Sequence, residues 1–380
     1  MTSASPSPKR AARGKGKGKA SDFRPVASAR IGDVRARLLS FYDSHKRDLP
    51  WRGHGDPYAT WVSEIMLQQT RVDTVIPYYR AFMRRFPTVL ALAEASSDDV
   101  LSAWSGLGYY RRARMLHEGA KTVAREYGGK VPHDADALLG LPGVGRYTAG
   151  AIASIAFGQE APLVDGNVVR VVARVFGLDR AVGPQDDEVW ALAQALVRGP
   201  RPGDLNQALM EQGATICTKD SPSCDGCGLA TRCEAFASKK QKVWPILAAK
   251  KPPRKVLMEA LVVSRGNERL LCRRREAGLF GGLWEPPMLE VQKAQSSSDA
   301  FTALLGCELH VGKVIDEVRH VLTHRDLSVT VRAARLGARA TPRCVAPYEA
   351  ARFVDEEALD GLGVSRLSRK LLGNWGTADA

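Results

Sequence analysis

Leu141-Pro142-Gly143-Val144-Gly145-Arg146-Tyr147-Thr148-Ala149-Gly150 stands between two segments of helical pattern. Two glycines one residue apart permit a tight hairpin, with backbone N–H groups facing outward where the second helix starts. That geometry suits a phosphate oxygen, so Gly143 and Gly145 are candidate contacts to a phosphodiester. An ordinary glycine-rich turn between helices reads the same way. What flanks the hairpin decides between the two.

Downstream, Pro162-Leu163-Val164-Asp165-Gly166-Asn167-Val168 ends an apolar run and opens another helical pattern. Asp165 therefore occupies an N-cap position. A cap alone would explain it. A capping carboxylate also accepts hydrogen bonds from backbone N–H groups, which favours its ionised form, so Asp165 is expected to be both cap and functional anion.

Farther on come Cys217, Cys224, Cys227 and Cys233, in the spacing C-x6-C-x2-C-x5-C. Four thiolates on so short a loop can converge on one cubane, and a [4Fe–4S] cluster needs that Cys₄ shell. Structural zinc also takes four cysteines, but zinc ribbons favour two C-x2-C pairs set well apart, and this run has one pair at its centre. The other cysteines, Cys272, Cys307 and Cys344, are scattered, which suits a reducing compartment.

Upstream of the hairpin lies Trp61-Val62-Ser63-Glu64-Ile65-Met66-Leu67-Gln68-Gln69-Thr70. Trp61, Val62, Ile65, Val72, Val75, Ile76 and Tyr79 keep a helical period over several turns. A helical wheel sets Glu64 about 60° from Trp61, at the edge of the apolar stripe. Most acids at such an edge are surface residues whose stems lie over the core. A partly buried one has its pKa raised towards neutrality and can serve as a general acid. One carboxylate kept protonated and one kept ionised is the arrangement that cleaves glycosidic bonds.

The chain has 380 residues and a net charge of +14, which favours a polyanionic partner. Residues 1–30 carry eight Lys/Arg against the single acid Asp22, in a Ser/Pro/Gly/Lys composition that reads as a disordered basic tail. Its GKGKGK run lacks the apolar face of a transit peptide, and a solvated arm that adds nonspecific DNA affinity fits better. No stretch approaches the ~18 apolar residues of a membrane span. A soluble, cytoplasmic, nucleoid-associated protein, acting as a monomer on DNA, is expected. Residues 31–240 read as one all-α domain, with helical segments near 98–104, 111–127, 146–157, 166–176, 187–197 and 204–215. Gln241 to Lys255, with Pro245, Pro252 and Pro253 among its lysines, reads as an interdomain linker. Residues 256–375 form a smaller α+β domain, with β-like runs at Val256–Ser264, Arg269–Arg273, Val311–Val318 and Leu327–Leu336, and helical pattern near 297–305 and at the C-terminus.

Together these motifs resemble the endonuclease III superfamily of DNA glycosylases: a helix–hairpin–helix, an Asp about twenty residues on, and the four-cysteine run. Within it, Ser63 to Thr70, Gly106-Leu107-Gly108-Tyr109-Tyr110 and Val164 to Val168 look like the MutY adenine DNA glycosylases, over roughly residues 34–375. The resemblance implies a helix–hairpin–helix domain with a [4Fe–4S] loop, then a MutT/Nudix-like domain. It implies duplex DNA holding adenine opposite 8-oxoguanine or guanine as substrate. Glu64 then protonates the adenine ring and Asp165 stabilises an oxocarbenium-like sugar, with Tyr147 and Asn167 supporting that centre. Gln69 and Tyr109 enter the DNA stack, while Arg52 and Gln207 line the adenine pocket. A base inside a duplex cannot be reached, so it is extruded and its vacancy filled.

Within the superfamily, the rival is a bifunctional glycosylase/lyase acting on oxidised pyrimidines. Such enzymes carry a Schiff-base Lys where this chain has Tyr147, and a phenol cannot form one. Some bacterial relatives carry a Lys four residues after the Asp; here that residue is Val169. A non-catalytic DNA-binding relative would lose one carboxylate, and both are present. In the C-terminal domain, Gly278 to Pro286 stands in place of the usual glycine- and aromatic-rich loop, and no R-E-x-x-E-E box follows. The carboxylates for a catalytic Mg²⁺ are thus missing, which argues against a nucleotide-pool hydrolase and for an 8-oxoguanine sensor. Leu322-Thr323-His324 aligns with the loop that reads the oxidised base, so Thr323 and His324 are candidate contacts.

Overall fold

The computed structural model describes residues 26–246, 252–292, 298–337 and 340–373. Most of the expected basic tail therefore lies outside the described residues, although a helix Ser28–His45 takes in its last three positions. The helices expected between 98 and 215 are present: Ser97–Ala103, Arg111–Glu126, Arg146–Ala151, Gly166–Phe176, Asp187–Val197 and Pro202–Thr215. The helix from Arg146 runs on as a π-helical turn, Ile152–Ala156, a local widening often found beside functional sites.

One expectation is corrected. The apolar period from Trp61 to Tyr79 is two helices, Pro57–Leu67 and Val72–Arg85. Between them Gln69 takes φ 58°, a left-handed backbone that stops the first helix. Periodicity alone cannot see this break, because the two helices happen to continue in phase.

The helical region holds two hydrophobic cores. One joins the helices from Pro57–Leu67 to Arg111–Glu126, with Trp61, Phe82 and Trp104 at its centre. The other packs Ser28–His45 against Gly166–Phe176, Asp187–Val197 and Pro202–Thr215. The helix–hairpin–helix lies where they adjoin. Gly143 has φ +77°, and a Cβ there would come within 2.5 Å of the Met115 Cβ, so only glycine fits. Gly145 differs: it is extended at φ −98°, and a Cβ would meet nothing. Its value is open space in front of the backbone, not conformational freedom.

The C-terminal unit is one seven-stranded sheet of β1 (Arg254–Arg265), β2 (Glu268–Arg274), β3 (Trp284–Glu285), β4 (Met288–Glu290), β5 (Leu309–Val321), β6 (Arg325–Leu336) and β7 (Tyr348–Val354). Its main path runs β3-β2-β1-β6-β5, with β4 on β1 and β7 on β2. Among the described residues β1 and β6 pair in parallel and the other neighbouring strands are antiparallel. The helices Ser298–Leu305 and Arg366–Leu372 cover it. Strands β3, β4 and β7 escaped the sequence reading, the first two because they are only two and three residues long.

Two boundaries move. Trp244 is buried in the helical domain and its carbonyl accepts a 2.8 Å bond from Arg174, so the first part of the expected linker belongs to that domain. Residues 247–251 lie outside the described residues, and β1 begins at Arg254. The sheet also docks on the helices. Leu283 enters the first helical core, and the backbone of Val364 accepts from Ser105 at 2.9 Å and Tyr110 at 3.0 Å.

The two hairpin glycines separate experimentally. Gly143→Ala should cost roughly 2–4 kcal/mol, from the left-handed backbone and the collision with Met115. Gly145→Ala should stay within about 0.5 kcal/mol of the parent. Urea denaturation of both variants measures the difference, and equal stability would remove the steric argument.

Candidate active site

Glu64 projects from a helix that begins with Asp56 as its cap, accepting from the Tyr58 N–H at 2.9 Å, and Pro57 at its first position. Every residue from Tyr58 to Met66 is buried. Glu64 is therefore inside the protein, only 4% exposed, and not at the edge of a stripe with its head in solvent. The Tyr147 hydroxyl donates to its Oε2 at 2.5 Å. No cation pairs with the carboxyl among the described residues. Burial pushes Glu64 up to about 7; the Tyr147 hydrogen bond and the more distant Arg52 oppose the rise, and the charge of Asp165 adds to it. Tyr147 also touches the Met210 sulfur at 3.4 Å, and burial with the neighbouring carboxyls holds its phenol well above the ordinary value.

Asp165 caps the helix Gly166–Phe176 as expected, accepting from the Val168 N–H at 2.8 Å. Asn167 donates to its other oxygen at 2.7 Å. These bonds do not hold the carboxyl low. Desolvation is the larger effect and raises it, against the Val168 and Asn167 donors and the charge of Arg170. Asp165 is the cap that the sequence led us to expect, and its burial works against the ionisation that the capping bonds favour. The two carboxyls still differ in kind: Glu64 faces a phenol, whereas Asp165 sits among N–H donors with a guanidinium nearby.

Arg170 escaped the sequence reading, although its position one turn beyond Asn167 on the same face was a signal. Its guanidinium donates to Asn167 Oδ1 at 2.7 Å, to the Gly213 carbonyl at 2.6 Å and to the Cys217 carbonyl at 2.7 Å. Gly213 has to be glycine, since a Cβ there would lie 2.6 Å from the Asn167 Cβ. One turn later Arg174, 2% exposed, reaches the Cys217 sulfur at 3.2 Å and the Thr218 and Lys219 carbonyls at 2.7 and 3.0 Å. The same helix that Asp165 caps therefore clamps the start of the cysteine loop.

Cys217, Cys224, Cys227 and Cys233 line one apolar-walled cavity beneath that helix, with Gln212 donating to the Cys227 sulfur at 3.2 Å. Burial pushes the thiols of Cys224, Cys227 and Cys233 up. Among the described residues no three His, Cys, Asp or Glu side chains meet closely enough to hold a metal ion. The sulfurs face a shared space and do not meet at a point.

Arg52 and Gln207 both make hydrogen bonds within the helical domain. Arg52 donates to Glu211 at 2.8 Å, and Arg47 to the same carboxylate at 2.6 Å. Glu211 is 1% exposed; burial opposes its ionisation, and the two guanidiniums more than offset that, leaving it below its usual range. Gln207 makes a 3.4 Å bond to Gly203 of its own helix, one turn before Met210. Gln69 and Tyr109 are exposed, and both take left-handed backbone, at φ 58° and 49°. Non-glycine residues there store strain that surrounding structure must hold. Arg112 is the holder: it donates to the carbonyls of Ile65, Met66, Gln68 and Gly108 and to the Thr70 hydroxyl. The Tyr109 hydroxyl lies 2.6 Å from Thr323 Oγ1, at the tip of the β5–β6 turn that also carries exposed His324. Leu322 of that turn packs on the sheet core.

With this geometry in view, comparison with known proteins gives consistent results. Residues 62–198 match the HhH-GPD superfamily of base excision DNA repair proteins, and residues 259–374 match the NUDIX domain. A solved thermostable thymine-DNA glycosylase superposes with TM-score 0.52 at 33% identity, covering 55% of this chain and 98% of that one. Fold and domain order define a base excision DNA glycosylase of the helix–hairpin–helix class with an appended Nudix-like domain. The human adenine DNA glycosylase is 37% identical, over 92% of this chain and 74% of its own length. The rat enzyme is 39% identical, over 90% and 78%. The chain belongs to the adenine DNA glycosylase family.

Removing Arg112 should expose how the loops are held. Arg112→Met leaves buried carbonyls without donors and should cost roughly 2–4 kcal/mol in denaturant unfolding. Arg112→Lys should recover little of this, because one ammonium cannot span the fork of acceptors. Full recovery by Lys would show that charge, not the fork, holds Gln69 and Tyr109.

Proposed function

We propose that this enzyme hydrolyses the N-glycosidic bond of adenine lying opposite 8-oxoguanine or guanine in duplex DNA, and leaves both strands intact. The observation that carries the reading is the buried Glu64 carboxyl under the Tyr147 hydroxyl at 2.5 Å, beside the capped Asp165. Glycosidic cleavage leaves negative charge on the departing base and positive charge on the sugar. Glu64, held near neutrality by burial, gives a proton to the adenine ring, so the base departs without net negative charge. Asp165, its oxygens fixed by Val168 and Asn167, presents an anion to the oxocarbenium-like sugar, and water then adds to that carbon. Tyr147 stands where a lyase would place an amine, so no Schiff base forms and the strand survives.

Gly143 and Gly145 of the hairpin are assigned to the phosphate backbone, a role supported by the open space in front of Gly145. Gln69 and Tyr109 are assigned to the gap left by the flipped adenine, supported by their exposure on a loop pinned by Arg112. Arg52 and Gln207 are assigned to the adenine pocket. Thr323 and His324 are assigned to 8-oxoguanine. The family and the four sulfurs around one cavity fit a [4Fe–4S] cluster held by Cys217, Cys224, Cys227 and Cys233. When bound, such a cluster supplies cross-linking of the loop and positive charge that keeps the thiols ionised. Arg174 and Gln212 then serve the sulfurs as donors.

A pH profile tests the acid. Single-turnover excision from an A·8-oxoguanine duplex should fall as pH rises through about 7, where Glu64 loses its proton. Tyr147→Phe deletes a bond that favours the ionised form, so the fall should move to higher pH. Glu64→Gln should lose about 10²–10⁴-fold in rate, the usual span for a general acid. A flat profile, or a Gln variant near parental rate, would sink the assignment.

The opposite base is tested separately. Thr323→Ala should reduce the preference for A·8-oxoguanine over A·G by about fivefold, the effect of one hydroxyl contact worth ~1 kcal/mol. The excision rate on A·G should stay unchanged. An unaltered rate ratio would assign the reading of the oxidised base elsewhere.

A further inference from the structure

A second group of sulfurs lies in the C-terminal sheet, away from the cysteine loop and unused by the proposed chemistry. Cys272 sits within β2, paired across to Glu285 of β3 and Ala351 of β7, and is wholly buried. Cys344 lies in the connection that leads from β6 into β7 and is half-buried. Their Sγ atoms are 3.7 Å apart although 72 residues separate them in sequence. A disulfide holds its sulfurs at about 2.05 Å, so closure needs an approach of less than about 2 Å. Cys272 is fixed by ladders on both sides, whereas the Cys344 connection is attached by separate bonds, Arg343 N–H to Leu305 at 2.6 Å, Val345 N–H to Leu304 at 3.2 Å and Arg275 N–H to Pro347 at 2.9 Å. The connection is therefore the less firmly held of the two.

We propose that Cys272 and Cys344 form a peroxide-reactive dithiol that closes to an intramolecular disulfide and fastens the β6–β7 connection to β2. The less buried partner, Cys344, reacts first. The Cys344 thiolate attacks one oxygen of a hydroperoxide, the O–O bond breaks, and the leaving oxygen departs as water or alcohol after taking a proton. Cys344 is now a sulfenic acid. Cys272 loses its proton and attacks the Cys344 sulfur; the S–S bond forms, the S–O bond breaks and hydroxide leaves as water. Two thiols are oxidised and one peroxide is reduced. The hydrogen bond between the sulfurs supports this order, since it lowers the Cys344 thiol, while that bond and burial hold the proton on Cys272. Cys307 packs against the same core cluster and is the competing thiol.

The connection leads, four residues after Cys344, to Tyr348, whose hydroxyl donates at 2.7 Å to buried Glu285, the partner of Arg274 in β2. Fixing Cys344 to Cys272 thus braces the strand junction around this buried ion pair. It also closes a long loop, which constrains the unfolded chain.

The test uses the full-length reduced protein treated with hydrogen peroxide, followed by alkylation, digestion and mass mapping. The expected result is one cross-linked peptide pair joining Cys272 to Cys344, loss of both thiols, a higher melting temperature, and reversal of all three by dithiothreitol. Cys344→Ser, on a half-buried connection outside the catalytic machinery, should leave Cys272 a free thiol and abolish the melting shift. Cys272→Ser should instead leave a sulfenic acid on Cys344 that dimedone traps; Cys272→Ala replaces it if the serine variant does not fold. Cys344 left unmodified under peroxide, or joined to Cys307, would overturn the proposal.

Discussion

A buried carboxylic acid with no cation paired to it among the described residues is the constraint from which the rest of this molecule follows. Glu64 has one strong partner, the Tyr147 phenol at 2.5 Å, and a phenol stabilises a carboxyl without forcing it to ionise. An arginine in that place would hold Glu64 ionised and useless as an acid. Such an arginine is nearby: Arg52 is engaged instead with Glu211, which also takes Arg47. The buried Glu211 thus answers two guanidiniums and keeps their direct contacts away from Glu64. Leaving an acid unpaired in an interior costs stability, so the surrounding cores have to be large. Two hydrophobic clusters meet at this seam and supply that burial.

The second carboxyl is positioned through a helix. Asp165 caps Gly166–Phe176, and its rotation is set by Asn167, itself held by Arg170. Arg170 and Arg174 then carry the same helix onto Cys217. Any disturbance of the cysteine loop therefore reaches Asp165 through two guanidiniums and one amide, without passing through the hydrophobic core. The cysteine loop and the capping carboxyl are thus tied to opposite ends of one helix.

Much of this was legible in the sequence, for reasons that differ by residue. The helices from 97 to 215 have amphipathic periods, so pattern sufficed. Asp165 announced itself as a cap because an apolar run ended at it, and the cap is there. The opposing effect of burial on it was not visible, since a sequence shows hydrogen-bond donors but not desolvation. Glu64 was placed at an edge because a wheel assumes one buried face, whereas this helix is enclosed on all sides. The break at Gln69 was invisible because two helices continued in phase. Arg112 and Glu211 were missed together, because each acts on carbonyls or guanidiniums brought close only by folding, whereas Arg170 had a local signal in its spacing from Asn167. Short β3 and β4 carry too few residues to show a period.

The two domains touch through a pair of exposed side chains, Tyr109 and Thr323. Tyr109, on a strained loop of the helical domain, touches Thr323 of the β5–β6 turn at 2.6 Å. The Tyr109 loop is fixed by Arg112, whose other bonds end on the helix that carries Glu64. The Thr323 turn is fixed by Leu322, packed on the sheet core, and that sheet is docked on the helices through Leu283 and Val364. A shift of the turn is therefore transmitted along short, hydrogen-bonded segments to the acid's own helix. Two separate domains tethered by a free linker would bind one duplex without such a connection. Here the contact couples the β5–β6 turn of one domain to the helix that carries Glu64 in the other.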